Sequence, residues 1–133
     1  MTVLVTQDRT TKYIAAIREI MSQLGHATNV ELLSRLHVAY VDLSPTTVHR
    51  ITARMVDRGE LQMAPSSHDN SMRFDANLLP HDHFMCDHCG LLRDANLSDI
   101  LRPEVERAIG SDCSISGSLT VSGMCKQCHE ENV

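Results

Sequence analysis

The sequence predicts an α+β chain in which a three-helix module with a β-hairpin precedes a smaller α/β module. Three observations predict it. Apolar residues recur at helical spacing through the first sixty positions, a run of turn-forming residues then separates two short extended stretches, and two Cys-x-x-Cys pairs bracket a second half of strands and one helix.

Bulk properties narrow the choice further. A chain of 133 residues holds one ordinary domain or two very small ones, and small modules usually need a metal or a partner subunit to complete a thin core. Four aromatics and no Trp leave the apolar share to aliphatics and Met, which suits several small cores. No apolar run is long enough to cross a bilayer, and the start MTVLVTQDR lacks both the basic region and the apolar stretch of a signal peptide. The expectation is a cytoplasmic protein with no membrane partner. The formal charge of -5 argues against nucleic-acid binding by bulk charge, but it is unevenly spread. Residues 1–80 carry eight Lys/Arg against eight Asp/Glu, and 81–133 carry four against nine, so any DNA contact belongs to the first half.

From Thr10 to Leu24 the residues Ile14, Ile17, Ile20, Met21 and Leu24 form the apolar face of a first helix, which Gly25 stops. Thr28 and Glu31 have the spacing of a capping box, so a second short helix runs through Leu32, Leu33 and Leu36. Ser44 before Pro45 sets an N-cap and a first helical proline, Val48, Ile51 and Met55 mark the buried face, and Gly59 closes a third helix. Glu60–Met63 and Met72–Asp75 then flank the turn formers 65–70 as a hairpin. Three helices and a hairpin make a winged helix-turn-helix. Arg50, Arg54 and Arg58 recur every four residues along the third helix, placed either to reach phosphates and base edges in a major groove or simply to solvate a helix face.

Residues 76–82 read as a hinge, giving a winged-helix domain at 1–75 and an α/β dimerisation and metal-binding domain at 83–133. In the latter, His83–Cys86 and Leu91–Ala95 are short strands and Leu97–Ile109 a helix with Pro103 near its start. Ile115, Leu119 and Val121 alternate as in a half-buried strand. So small a sheet needs dimerisation, metal ligation or both.

Cys86, Cys89, Cys125 and Cys128 carry the strongest chemical signal. Two residues between thiolates let both sulfurs of a turn face one ion, and two such turns supply the four tetrahedral ligands zinc prefers. A structural Zn2+ is preferred over a redox pair or an iron–sulfur site, and cellular thiols disfavour disulfides. Cys113 is read as a small buried residue. In an extended strand His81 and His83 share a face and both imidazoles can bind one ion. Nothing in the chain suggests a Ser-His-Asp or Cys-His catalytic arrangement, so no enzyme is expected.

Taken in order, Leu24-Gly25-His26-Ala27-Thr28, Thr47-Val48-His49-Arg50, Arg73-Phe74-Asp75, His81-Asp82-His83-Phe84-Met85-Cys86 and Cys89-Gly90-Leu91-Leu92-Arg93-Asp94 resemble the ferric uptake regulator family of metal-dependent repressors. The resemblance covers roughly residues 10–130. It implies a homodimer that binds a double-stranded DNA operator, a structural Zn2+ on the four cysteines, and a regulatory ion held by His26, Asp75, His81, His83 and Asp94. Thr46, Thr47, His49, Arg50 and Arg54 become the DNA-contacting candidates, although His49 stands where the family usually has Tyr. An additional sensing site of the iron-responsive branch would need His at positions that here are Pro80 and Gly117, and the Cys usual among the ligands of zinc sensors is missing.

Three His and two Asp look most like the peroxide-sensing branch, and such nitrogen and oxygen donors suit Fe2+ or Mn2+, with Zn2+ a further candidate. A plain iron, manganese or zinc uptake regulator uses the same residues without peroxide chemistry. A zinc-ribbon module docking on protein or RNA would explain the cysteines but not the winged helix or the same-face histidines.

Overall fold

The structure, a computed structural model, describes residues 10–131. The chain divides into two compact units, one of residues 1–64 and 72–78 and the other of residues 65–71 and 79–133. Among the described residues no helix is long and apolar enough to cross a membrane.

The first unit contains α1 (Thr11–Leu24), β1 (His26–Thr28), α2 (Asn29–Leu36), α3 (Pro45–Asp57), β2 (Gln62–Ala64) and β3 (Arg73–Asp75). Helix α1 buries Ile17 and Met21. It ends where Gly25, at φ 77°, turns its N–H back to the Met21 carbonyl at 2.8 Å, a left-handed conformation that suits glycine. The capping box forms as expected: the Glu31 N–H donates to the Thr28 hydroxyl at 3.2 Å and the Thr28 N–H donates to the Glu31 carboxylate at 3.2 Å. Helix α3 opens with the Thr47 N–H donating to the Ser44 hydroxyl at 3.2 Å, and it buries Val48, Ile51, Thr52 and Met55. These faces meet Leu32, Leu36 and Phe74 in one apolar core.

The hairpin β2–β3 is antiparallel as predicted, but β3 also pairs with β1, giving the order β1-β3-β2. Strand β1 has no counterpart in the sequence reading, because three residues carry no periodicity that could announce them. Its consequence is direct: His26 becomes the cross-strand partner of Asp75.

The second unit contains β4 (Asp82–Cys86), β5 (Leu92–Ala95), α4 (Arg102–Ile109), β6 (Thr120–Gly123) and α5 (Lys126–Glu131). Its sheet has the order β5-β4-β6, with β5 antiparallel and β6 parallel to β4. The structure departs from two expectations in this unit and adds one helix. The helix predicted over 97–109 begins only at Arg102, since Pro103 lacks an N–H and belongs in a first helical turn. The strand predicted over 115–121 is confined to Thr120–Gly123, because the Ile115 N–H donates to the Glu106 carboxylate at 2.9 Å and the Leu119 N–H to the Asp82 carboxylate at 2.8 Å. Helix α5, six residues long, was not anticipated. Among the described residues the buried side chains of this unit are Asp82, His83, Cys86 and Cys128, so it has no apolar core of its own to speak of.

Candidate metal centres

Strand β4 ends at Cys86, and a turn then carries the chain to Cys89 and Gly90, which lies at φ 82°. Its positive φ favours glycine, and a Cβ there would also push the exposed His68 ring aside. Cys125 precedes α5 and Cys128 sits within it. The four Sγ atoms lie within 4.8 Å of one another, and Cys89 Sγ is 3.8 Å from Cys125 Sγ. A tetrahedron with metal–sulfur bonds of about 2.3 Å has edges of about 3.8 Å, so the donor set fits a tetrahedral ion.

Backbone donors prepare one of these sulfurs, that of Cys86, for charge. The N–H groups of Cys125 and Cys89 lie 3.3 and 3.5 Å from Cys86 Sγ, and with the first of these as the largest cause they bring the Cys86 thiol down to about 6 against the opposing effect of burial. Cys128 moves the other way. Burial, followed by the sulfurs of Cys125, Cys89 and Cys86, pushes its thiol up. An ion that demands thiolates would supply the compensation that Cys128 lacks. Cys113 stands apart: it is exposed rather than buried, with Sγ 3.7 Å from an Asp112 oxygen. The polar loop 110–118 offers no core to receive it.

A second kind of donor set gathers in each unit separately. In the first, His26 Nε2 lies 3.3 Å from Asp75 Oδ2 across the β1–β3 pair, and the Asn77 N–H donates to Asp75 Oδ1 at 2.9 Å. Asp75 is almost wholly buried. In the second unit His83 and Asp94 are cross-strand partners, and Asp94 Oδ1 is 3.3 Å from His81 Nε2 and 3.4 Å from His83 Nε2. The two imidazoles are 4.4 Å apart between ring centres, as their same-face placement requires.

The DNA-contacting candidates divide. Thr46, His49 and Arg50 line one shallow groove of about 530 Å³ with Pro45 and Ala53. Thr47 instead turns its hydroxyl to Ser44 at 2.9 Å and lines a separate cleft of about 410 Å³ beside Tyr13 and Tyr40. Arg54 is exposed on the same helix, outside that groove lining. Sequence reasoning missed Lys12, whose ammonium lies 5.1 and 5.5 Å from the Tyr13 and Tyr40 ring centres at this cleft. It also missed Asp82, a buried carboxylate that receives backbone and side-chain donors from three segments. No sequence signal marks either role, since both depend on contacts between distant residues.

Comparisons with known proteins agree with this architecture. The sequence pattern of the ferric uptake regulator family matches residues 3–117, a span that stops short of the second cysteine pair. The chain is 26% identical over 118 residues to the peroxide-responsive repressor PerR of Staphylococcus epidermidis, covering 88% of this chain and 78% of that protein. Among solved structures, the ferric uptake regulator of Helicobacter pylori superposes with a TM-score of 0.73 at 20% identity, over 90% of this chain and 81% of that one. The iron-containing ferric uptake regulator of Francisella tularensis gives 0.69 at 17% identity, over 96% and 99%. At these identities the structural likeness speaks for the fold, and the fold is the one described above. Given the match over most of its length, the chain belongs to the ferric uptake regulator family, whose members are metal-responsive, DNA-binding transcription regulators and not enzymes.

Proposed function

We propose that this chain is a homodimeric, metal-dependent repressor that grips double-stranded operator DNA through α3. In this reading residues 1–75 form the DNA-binding domain, 76–82 a hinge and 83–133 the dimerisation domain. Cys86, Cys89, Cys125 and Cys128 hold a structural Zn2+. His26, Asp75, His81, His83 and Asp94 hold a regulatory Fe2+ or Mn2+, with Zn2+ a competitor for the same donors because of its high intrinsic affinity. Thr46, Thr47, His49, Arg50 and Arg54 are the DNA-contacting candidates, and Thr46, His49 and Arg50, which share one groove, are the best placed of them.

The observation that carries the reading is the separation of donor types. One cluster is all sulfur and suits a closed tetrahedral site. The His26–Asp75 pair and the His81–His83–Asp94 group are all nitrogen and oxygen, which suits a harder ion with an open position. An ion that binds one conformation of the chain more tightly than another raises the population of the first, and in this reading that is how the regulatory ion switches DNA affinity.

The finer reading is peroxide sensing. It is supported by the donor set, which contains no Cys, and by the likeness to the peroxide-responsive repressor of Staphylococcus epidermidis. Bound Fe2+ would supply the reducing chemistry that activates peroxide. Overall, peroxide would pass one oxygen atom to a ring carbon of His26 or His81, a two-electron oxidation of the imidazole matched by reduction of the other peroxide oxygen to water, and the altered ring would be a poorer ligand. A second reading, metal sensing without oxidation, is favoured by the exposure of Asp94, whose side chain is 52% accessible as an ordinary surface carboxylate would be.

Two measurements test these readings. DNA binding by the zinc-loaded dimer at fixed salt, with Fe2+, Mn2+ or Zn2+ added separately, should depend on the added ion, and binding indifferent to all three overturns the repressor reading. Peptide mass spectrometry after brief peroxide exposure of the Fe2+ form should find one added oxygen on the His26 or His81 peptide. Its absence from both overturns peroxide sensing and leaves metal sensing standing.

A further inference from the structure

The carboxylate of Asp82 lies between the two candidate ligands His81 and His83, and it is 2% exposed. It ties three segments together. Oδ2 accepts the Leu97 N–H at 3.1 Å and the Ser98 hydroxyl at 2.9 Å, and Oδ1 accepts the Leu119 N–H at 2.8 Å. Leu97 lies two residues beyond β5, the strand that carries Asp94. One buried carboxylate at the start of β4, the strand of His83, is thus linked to the segment that leaves β5, the strand of Asp94, and to the residue that precedes β6, with His81 adjacent in sequence.

A buried charge of this kind is costly unless a counter-charge faces it. Arg102, at the start of α4, provides one: its Nη2 lies 3.4 Å from Asp82 Oδ1 and 3.1 Å from the Ser98 hydroxyl. Its Nη1 donates to the carbonyls of Gly117 at 2.9 Å and Ile115 at 3.3 Å. The guanidinium therefore does two things at once. It neutralises Asp82, and it satisfies two carbonyls of a loop in which the Ile115 and Leu119 N–H groups already go to carboxylates. The planar fork of arginine reaches these four acceptors together, which a single ammonium cannot do. Among the described residues of this unit no apolar core is available to hold the same segments in place.

We propose that Arg102 is a positioning residue for the regulatory metal site: a permanent internal cation that, through Asp82, holds His81, His83 and Asp94 in a ligating arrangement before the ion arrives. The inference rests on the assignment of those three residues as ligands. Preorganisation of this kind acts on affinity, because the ion no longer has to order the strands that carry its ligands.

The test is Mn2+ affinity measured on the full-length, zinc-loaded protein, with zinc content and far-UV circular dichroism followed in parallel. Arg102→Ala should bind Mn2+ roughly 10- to 100-fold more weakly, the range seen when a group that orients a metal ligand is lost, while zinc stays at one ion per chain. Added guanidinium should restore part of the affinity by refilling the vacated space. Arg102→Lys keeps the charge and protects against loss of fold, and it should still fall short of the wild type because the fork is gone. Wild-type Mn2+ affinity in both variants overturns the inference, since a merely structural arginine would lower melting temperature and leave metal affinity unchanged. Failure of the wild-type protein itself to bind Mn2+ would instead overturn the ligand assignment on which the inference stands.

Discussion

His83 and Asp94 face each other across the antiparallel strands β4 and β5, with Nε2 3.4 Å from Oδ1. The same device recurs in the other unit, where His26 and Asp75 are partners across β1 and β3 at 3.3 Å. Cross-strand neighbours on one face of a sheet lie close enough for their side chains to share a contact, and the register alone decides which residues meet. If these pairs are metal-ligating, Asp94→Asn should weaken Mn2+ binding by roughly tenfold or more while the zinc content stays unchanged. Isothermal titration on the zinc-loaded protein checks this, and an unaltered affinity would return Asp94 to the surface.

Zinc removal should act on one unit and spare the other. The second unit buries Asp82, His83, Cys86 and Cys128 and little else among the described residues, so binding energy at the four sulfurs is folding energy there. Hydrogen exchange after chelation, or in Cys86→Ser, should show amides of β4 and β6 losing protection. Those of α1 to α3 should keep theirs, because Ile17, Leu32, Met55 and Phe74 hold the first unit through an apolar core.

Phe74 is fully buried in the central strand of the first sheet, between β1 and β2. Phe74→Ala should cost about 3–5 kcal/mol, the range for emptying an aromatic core position. Urea unfolding followed by circular dichroism would show it. The loss should extend to the His26–Asp75 pair, since Asp75 is the next residue along the strand.

Thr28 both ends β1 and caps α2, with its hydroxyl accepting the Glu31 N–H. Thr28→Ala removes that acceptor and should destabilise the first unit by about 1 kcal/mol. Thr28→Ser retains the oxygen and should lose much less, a contrast readable in the same urea titration.

Arg50 lines the shallow groove on α3 with Thr46 and His49. If this groove meets the sugar–phosphate backbone, Arg50→Ala should lower affinity for all duplex sequences alike and reduce the slope of log affinity against log salt by about 1. A loss confined to the operator, with the slope unchanged, would assign Arg50 to a base edge instead.

Local signals explain what could be read in advance. The Thr28–Glu31 box, the Ser44–Pro45 start of α3 and the heptad-like apolar faces are short-range patterns, and their partners lie within four residues. Helix and hairpin could therefore be inferred without any knowledge of packing. The Cys-x-x-Cys pairs are local in the same sense, and their chemistry permits few other uses. Where local and distant demands conflicted, the local reading failed: residues 115–119 alternate like a strand, yet the Ile115 and Leu119 N–H groups go to Glu106 and Asp82 and the Ile115 and Gly117 carbonyls to Arg102, while the Leu119 carbonyl accepts the His83 N–H of β4 at 3.0 Å.

By itself the sequence determined the helices of the first unit, the hairpin, each Cys-x-x-Cys pair and the same-face histidines, because each is dictated by residues close along the chain. The tertiary structure alone decided that His26 opposes Asp75, that Asp94 reaches both His81 and His83, and that Arg102 neutralises a carboxylate between two of them. Those relationships depend on strand register and on loop backbone satisfied by distant side chains. No pattern of neighbouring residues records either one, since a shift of one residue in register would send the same side chains to the opposite face.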